Sequence, residues 1–106
     1  MEDQFQKELI RLINICKEVF DVNISLPKLI FLRHKNGWGG WRIDKRKNAI
    51  IFINPDGFDE HFNEQLNDTL PHEVSHHVVN HLFGFYDYHG KEWKKVMKII
   101  TDTPKN

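Results

Sequence analysis

Leu70-Pro-His-Glu-Val-Ser-His-His-Val-Val-Asn-His-Leu-Phe-Gly84 is the stretch that decides the fold of this 106-residue chain. Its apolar residues recur at steps of three and four, which predicts an amphipathic helix with one buried face. Glycine readily adopts the left-handed conformation of a C-terminal cap, so Gly84 is predicted to end the helix. Pro71 fits a helix that begins just before it, and it would kink a helix that ran through from Phe58 or Glu60. The predicted apolar arc consists of Val74, Val78, Val79, Leu82 and Phe83.

Two histidines of this helix lie beside the apolar arc. His72 and His76 are four residues apart and share one helical face, so both imidazoles can bind one metal ion, with Glu73 at the same rim. This is the H-E-x-x-H pattern, in which neutral imidazole nitrogens suit zinc. A catalytic zinc site uses three protein ligands and leaves the fourth position to water. The sequence therefore has to supply one more ligand.

His89 is the main candidate for the third ligand. It stands just before a second run of residues at helical spacing, after a short connection from the first helix, and this return can carry its imidazole back to the two motif histidines. Glu92 and a site with no third protein ligand are the alternatives. If a group such as Glu92 closed the shell as a fourth ligand, the site would be structural rather than catalytic. The second helical run contains Trp93, Val96, Met97 and Ile100.

The other histidines of the motif helix and the single cysteine have simpler interpretations. His77 and His81 are also four residues apart, but they project away from the first pair without an accompanying carboxylate. They are therefore predicted to face solvent or a partner. Cys16 excludes an internal disulfide and any metal site built from two cysteines of this chain. It falls in an apolar helical stripe and is predicted to be a buried, unreactive thiol.

The rest of the chain predicts an α+β domain. Residues 3–20 have the spacing of an amphipathic helix. Three short strands, at residues 28–33, 38–44 and 49–54, follow one another across turns, which suggests an antiparallel meander. Gly39 and Gly40 inside the second strand predict a bulge or a close approach of another backbone. Residues 58–68 then lead into the motif helix as a helix or as helical turns.

Composition and length restrict the class of protein. The chain has 15 basic and 15 acidic residues, so no global electrostatic argument favours nucleic acid or a membrane. Its length predicts one domain over residues 1–106. No apolar run approaches the length of a membrane span, and the polar, acidic N-terminus does not have the pattern of a signal peptide. A cytoplasmic, monomeric protein is therefore expected.

Two local clusters of basic residues keep DNA binding open. The Arg33–Lys47 hairpin interleaves basic side chains with Trp38 and Trp41, a combination used to bind single-stranded nucleic acid. The alternative is that its charges solubilise turns while the tryptophans pack on the core. The last helix carries a basic stripe whose steps of three and four share one face, with a solvated outer face as its alternative. This stripe consists of Lys91, Lys94, Lys95 and Lys98.

Five short motifs together resemble the SprT-like domain of zinc metalloproteases, a Spartan-related zincin family. The likeness extends over about residues 26–100. It implies a minimal zincin fold, with three main helices and a small three-stranded antiparallel sheet. The chain ends without the four-cysteine zinc ribbon or DNA-binding extensions of many relatives, so the chemistry is expected more firmly than a DNA-linked role. The motifs are Trp38-Gly-Gly-Trp41, Ile53-Asn-Pro55, Thr69-Leu-Pro-His-Glu-Val-Ser-His-His-Val-Val79, Phe83-Gly84 and His89-Gly-Lys-Glu-Trp-Lys94.

The resemblance implies one Zn²⁺ per chain, with His72, His76 and His89 as ligands and Glu73 as the catalytic glutamate. The predicted enzyme is a hydrolase that cleaves peptide bonds in a protein or peptide substrate, DNA-associated proteins among them. Zinc on three imidazoles would activate a water molecule, from which Glu73 takes a proton as general base and returns it as general acid. The alternative is a non-catalytic zinc module that binds a protein or DNA partner.

Further residues are candidates for supporting roles in this chemistry. An extended substrate is expected to add to the exposed edge of the sheet. The candidates for stabilising the oxyanion are Tyr86, Tyr88, His77 and Lys91. The candidates for orienting a ligand histidine are Asp87 and Glu92.

Overall fold

The computed structural model describes residues 1–84 and 89–103, which form three main helices and a three-stranded sheet. The α+β class and the predicted elements are confirmed, and each predicted strand end lies within two residues of the observed one. The helices are α1 (Glu2–Phe20), α2 (Leu70–Phe83) and α3 (Lys91–Asp102). The strands are β1 (Lys28–Phe31), β2 (Gly39–Ile43) and β3 (Ala49–Ile53).

The sheet is mixed, so the prediction of an antiparallel meander is wrong. Its strand order is β1-β3-β2, with β3 antiparallel to β2 and parallel to β1. The central place falls to β3 because its sequence, Ala-Ile-Ile-Phe-Ile, is the most apolar of the three, and Ile51 and Ile53 are fully buried. Only β2 and β3 form a hairpin. The crossing segment, residues 32–38, instead passes over the end of β3 to bring the chain from β1 to β2.

Asn54 holds the crossing segment across the end of β3. Its side-chain amide donates to the carbonyl oxygens of His34 at 2.9 Å and Gly37 at 3.2 Å. Its backbone N–H donates to the carbonyl of Trp38 at 2.8 Å. Its carboxamide oxygen accepts the N–H of Asp56 at 2.9 Å. The buried side chain of Asn54 therefore bonds to backbone groups that have no partner in the sheet, because β1 and β3 are parallel and are not joined by a hairpin at this end.

The chain enters α2 through a π-helical turn. This turn, Gln65–Thr69, runs into α2 without a break, and the N–H of Leu70 bonds to the carbonyl of Gln65. Pro71 lies in the first turn of α2, directly after the π-helical turn, so the helical hydrogen-bond pattern changes next to the residue that has no N–H to donate. The α-helix begins just before Pro71 as predicted, but the helical backbone continues into it from the π-helical turn. The predicted end is confirmed too, since Gly84 has a φ of 74° and its N–H bonds to the carbonyl of Asn80.

The core joins all three helices to β3. The predicted apolar arc of α2 is buried at Val74, Val78 and Val79, whereas Leu82 is half-buried and Phe83, at the helix end, is exposed. Burial raises the pKa of the Cys16 thiol to about 12, which agrees with the predicted unreactive thiol. None of the helices in the described residues is long and apolar enough to cross a bilayer. The core includes Phe5, Leu9, Leu12, Ile13, Cys16, Ile51, Ile53, Leu70, Val74, Val78, Val79, Val96 and Ile100.

The two glycines of β2 permit close packing rather than a bulge. β2 pairs with β3 in unbroken register. A β-carbon at Gly39 would lie 2.7 Å from Cγ2 of Thr69, and one at Gly40 would overlap the ring of Phe52. The predicted close approach is therefore confirmed, but the neighbour from outside the sheet is a side chain and not a backbone. The contact between Gly39 and Thr69 places β2 directly beside the start of α2.

Candidate metal centre

Three imidazoles from two parts of the chain meet beside α2. His72 and His76 are one turn apart on this helix, and His89 comes from the residue before the N-cap of α3. Nε2 of His72 lies 2.8 Å from Nε2 of His89. The ring centroids lie 5.0 Å apart for His72 and His76, and 5.0 Å apart for His76 and His89. The structure thus brings together the three histidines that the sequence singled out.

This donor set fits zinc. One ligand nitrogen from each ring lies within 4.8 Å of the other two. Tetrahedral zinc with its usual bond lengths separates two ligand nitrogens by about 3.3 Å, a distance within the observed spread. Among the described residues, no other group of histidine, cysteine or carboxylate side chains converges in this way, and Glu92 is not part of the group. If these three histidines bound a tetrahedral metal ion, they would leave one position for water or another ligand.

The backbone of His89 is bent to bring its side chain to the site. Its φ of 80° is left-handed, which is rare for a residue other than glycine. Such a conformation costs about 1 kcal/mol and persists only where the surrounding structure enforces it. This left-handed conformation turns the chain immediately before α3 and places the imidazole of His89 next to that of His72. The strain at this position therefore supports a functional role for the side chain.

Trp93 packs against all three histidines, a contact that the sequence analysis did not predict. Its ring centroid lies 4.8 Å from that of His72, 5.7 Å from that of His76 and 4.5 Å from that of His89. Its indole N–H donates to the backbone carbonyl of His72 at 3.1 Å. Its helical spacing indicated only a core residue. Its position four residues after His89, one turn into α3, was the signal that could have identified it.

Glu73 lies on the side of α2 that faces the sheet. It is four residues from both Thr69 and His77, which contact Gly39 and Trp41 of β2. Its side chain is only 9% exposed, and this burial raises the pKa of its carboxyl to about 7. A carboxyl group with this pKa can accept and return a proton near neutral pH.

The neighbouring imidazole of His72 is shifted in the opposite direction. Desolvation, followed by the proximity of His89, lowers the pKa of His72. Burial disfavours the imidazolium form, and a second imidazole at this distance adds like-charge repulsion when both are protonated. The neutral form, which binds metal ions, is therefore favoured.

The prediction that His77 faces solvent or a partner is wrong. Its side chain is 4% exposed, its Nδ1 accepts the indole N–H of Trp41 at 3.2 Å, and its Nε2 donates to the carbonyl of Ser25 at 2.8 Å. An indole N–H only donates and a carbonyl only accepts, so the ring is neutral with its proton on Nε2. Burial also lowers the pKa of His77. With both nitrogens engaged, His77 is not free to stabilise an oxyanion, whereas His81 is exposed as predicted.

The remaining candidates for supporting roles are only partly placed. Tyr86, Asp87 and Tyr88 lie outside the described residues. Lys91 is exposed at the start of α3, and Glu92 beside it is half-buried. The oxyanion role of Lys91 and the orienting role of Glu92 stay predictions.

The basic stretch 33–47 is not a hairpin, because β1 and β2 are not neighbours in the sheet. Its charges separate to the two ends of β2, with residues 33–35 at one end and 45–47 at the other. Trp41 packs against His77, while Trp38 stacks on His61 with ring centroids 5.0 Å apart. DNA binding through this stretch stays a prediction.

The basic stripe of α3 is exposed, as the spacing indicated. Lys98 pairs with Asp102 at 2.8 Å, one turn further along the helix. An exposed pair of this kind leaves most of the positive charge of the face in place. DNA binding here also stays a prediction.

Comparison with known proteins connects this geometry to a family. Searches of curated proteins and of solved structures return no match. A family model described as the SprT-like family matches residues 9–106. The match includes the sheet, the motif helix and the segment that carries His89, so it covers every part of the candidate metal centre. The chain therefore belongs to the SprT-like family.

Proposed function

We propose that this protein is a zinc-dependent endopeptidase that hydrolyses peptide bonds in a protein or peptide substrate. The SprT-like family is generally associated with metallopeptidase activity. The observation that carries the proposal is the convergence of His72, His76 and His89 beside a buried Glu73. Zinc held by these histidines would act as a Lewis acid on the scissile carbonyl and on a water molecule.

The residues of the chain itself supply proton transfer and orientation. Glu73 would accept a proton from the attacking water as the new C–O bond forms, and return it to the nitrogen as the C–N bond breaks. Burial raises the pKa of this carboxyl to about 7 in the metal-free protein, and the positive charge of bound zinc would lower it again, so Glu73 would be present as the carboxylate that accepts the proton. Trp93 orients the site from α3 by bonding the backbone of His72 and packing on the three rings.

β2 offers a place for the substrate backbone. In the described residues it is an edge strand that pairs with β3 alone, so one row of its N–H and C=O groups can pair with another chain. An extended peptide on this edge would run beside the side of α2 that carries Glu73. Recognition through main-chain hydrogen bonds depends little on sequence and requires an unfolded or extended substrate.

Metal content and cleavage in matched variants test this proposal. The parent protein, Glu73→Gln and His89→Ala are purified, dialysed at neutral pH and analysed for metal by mass spectrometry. Zinc is expected in the parent and in Glu73→Gln, and largely lost in His89→Ala, because two histidines bind more weakly than three. Cleavage of an unfolded protein should fall by about 10²- to 10⁴-fold in Glu73→Gln, the usual contribution of a general acid–base residue.

A control and two opposing outcomes make the test decisive. His34→Ala removes an exposed histidine of the crossing segment and should change neither metal content nor cleavage. Full activity in Glu73→Gln would contradict the proposed proton transfer. Zinc binding without cleavage by the parent would contradict the enzyme and favour a non-catalytic zinc module that binds a partner.

A further inference from the structure

A groove lies at the end of the sheet where β2 ends and β1 and β3 begin. Its volume is about 660 Å³, and α2 forms its other wall. None of the three histidines of the candidate metal centre lines it. The lining residues that matter here are apolar or basic: Leu26, Ile43, Lys28, Arg46, Lys47 and His81.

The groove continues the line along which a peptide on β2 would run. A ridge of side chains on the π-helical turn and α2 lies along β2. It consists of every fourth residue: Thr69, Glu73, His77 and His81. The first member contacts Gly39, the third bonds Trp41, and the last lines the groove with Ile43. Strand residues rise about 3.4 Å each, so the groove begins about 10 Å, or three peptide residues, beyond the level of Glu73.

The groove carries more positive than negative charge. Lys28, Arg46 and Lys47 are exposed, and no carboxylate of the described residues lies within ion-pair distance of them. Asp44 also lines the groove, but its Oδ1 accepts the backbone N–H groups of Arg46 at 2.9 Å and Asn48 at 2.8 Å. The acidic group therefore shapes the β2–β3 turn, while the three basic side chains remain available to a ligand.

The groove also exposes apolar surface. Leu26 is 48% exposed and Ile43 is 42% exposed, and both line it. Its described lining contains no Phe, Tyr or Trp, the large aromatic side chains on which nucleic acid bases stack, and His81 is its one exposed ring. A peptide with an apolar side chain flanked by carboxylates complements both features, because the side chain covers Leu26 and Ile43 while the carboxylates meet the basic groups.

We infer that this groove is a substrate subsite that selects an acidic segment with an apolar side chain, about three residues to one side of the scissile bond. The inference rests on the proposed peptidase function and adds a substrate class to it. The charged contacts form as the substrate binds, so the selectivity should lie mainly in KM.

Matched fluorogenic peptides measure this selectivity. Each peptide has the same central sequence and carries either Leu-Asp-Glu or the neutral Leu-Asn-Gln three residues from the central bond, on its N-terminal or its C-terminal side. On one of the two sides, the acidic peptide should have a kcat/KM about two- to thirtyfold higher than the neutral one, the range expected for two exposed ion pairs. The preference should shrink as salt concentration rises.

Charge variants assign the selectivity to the groove. Lys28→Gln/Arg46→Gln should remove most of the preference and leave only the share of Lys47, and Lys28→Glu/Arg46→Glu should reverse it in favour of a peptide with Leu-Lys-Lys. Lys7→Gln/Lys17→Gln, on α1, makes the same change in net charge away from the groove and should retain the parent's preference. Equal cleavage of acidic and neutral peptides, or an unchanged preference in the groove variants, would overturn the inference.

A binding assay separates this inference from the proposed function. Fluorescence anisotropy of labelled peptides on the Glu73→Gln variant should show tighter binding of the acidic peptide, mostly lost when Lys28→Gln/Arg46→Gln is added. If this holds while the parent cleaves nothing, the peptidase proposal fails and the groove remains an acidic-peptide site. If a single-stranded oligonucleotide displaces the peptide and loses its own affinity in the groove variant, the groove binds nucleic acid and the inference is overturned.

Discussion

Glu73 and His77 lie one turn apart on the same ridge of α2, and both are buried. His77 has a hydrogen-bond partner for each ring nitrogen, and this fixes its neutral form. The carboxyl of Glu73 has its pKa raised by burial to about 7. His77 therefore connects the helix to the sheet, while Glu73 can exchange a proton at neutral pH in the metal-free protein.

The stability of the metal-free protein should depend on pH through Glu73. Because its folded pKa is raised from 4.5 to about 7, the folded state keeps a proton that the unfolded state loses above pH 4.5. This contribution to stability is present below pH 4.5 and is lost as pH rises to about 7. Glutamine does not titrate, so Glu73→Gln lacks this effect. Its free energy of unfolding should rise by about 3 kcal/mol relative to that of the parent between pH 4.5 and pH 8.

Urea unfolding in the presence of a chelator measures this difference at several pH values. Glu60→Gln, an exposed carboxylate in the segment before the π-helical turn, serves as the control and should shift the free energy of unfolding similarly at each pH. A constant difference between Glu73→Gln and the parent over this range would mean that the carboxyl is ionised in the folded protein.

At the scale of elements, the crossing segment depends on Asn54. Asn54→Ala removes the partners of two carbonyl groups and one N–H group in and beside this segment. Each of these three hydrogen bonds contributes about 1 kcal/mol, so the free energy of unfolding should fall by about 3 kcal/mol. Urea unfolding followed by tryptophan fluorescence measures the loss.

Asn14→Ala is the matched control for this prediction, because Asn14 is exposed on α1. It should change the free energy of unfolding by no more than about 0.5 kcal/mol. An Asn54→Ala variant as stable as the parent would mean that the mixed sheet does not depend on this junction.

At the scale of the whole molecule, a metal ion would connect α2 to the start of α3. The apolar core already joins these helices through side chains such as Val78 and Val96, so the metal-free protein should stay folded. Zinc at a hundredfold excess over its Kd should add about 2.7 kcal/mol, a rise in Tm on the order of 10 °C.

Thermal unfolding with zinc or with a chelator tests this prediction in the parent and in His89→Ala. The rise in Tm should be mostly lost in the variant, because its remaining histidines both belong to α2. Unfolding of the parent on chelation at room temperature would instead indicate a structural metal site.

The sequence by itself determined the helices, the ends of the strands and the candidate metal centre. Local rules sufficed for these features, because helical spacing places His72 beside His76 and glycine at position 84 ends the helix. The apolar stripes of the three helices likewise marked the faces that became the core. His89 was predictable because it follows a short connection after Gly84 and directly precedes the second helix, so its side chain can return to the motif histidines.

The tertiary structure alone decided the sheet order, the role of His77 and the packing of Trp93. Strand order depends on which strand is buried on both faces, and the sequence between β1 and β2 did not exclude a hairpin. The partners of His77 come from residues 25 and 41, far away in the chain. The basic groove likewise gathers side chains from β1, the β2–β3 turn and α2. Contacts between distant segments depend on how the elements pack, whereas periodicity reports only on neighbours along the chain.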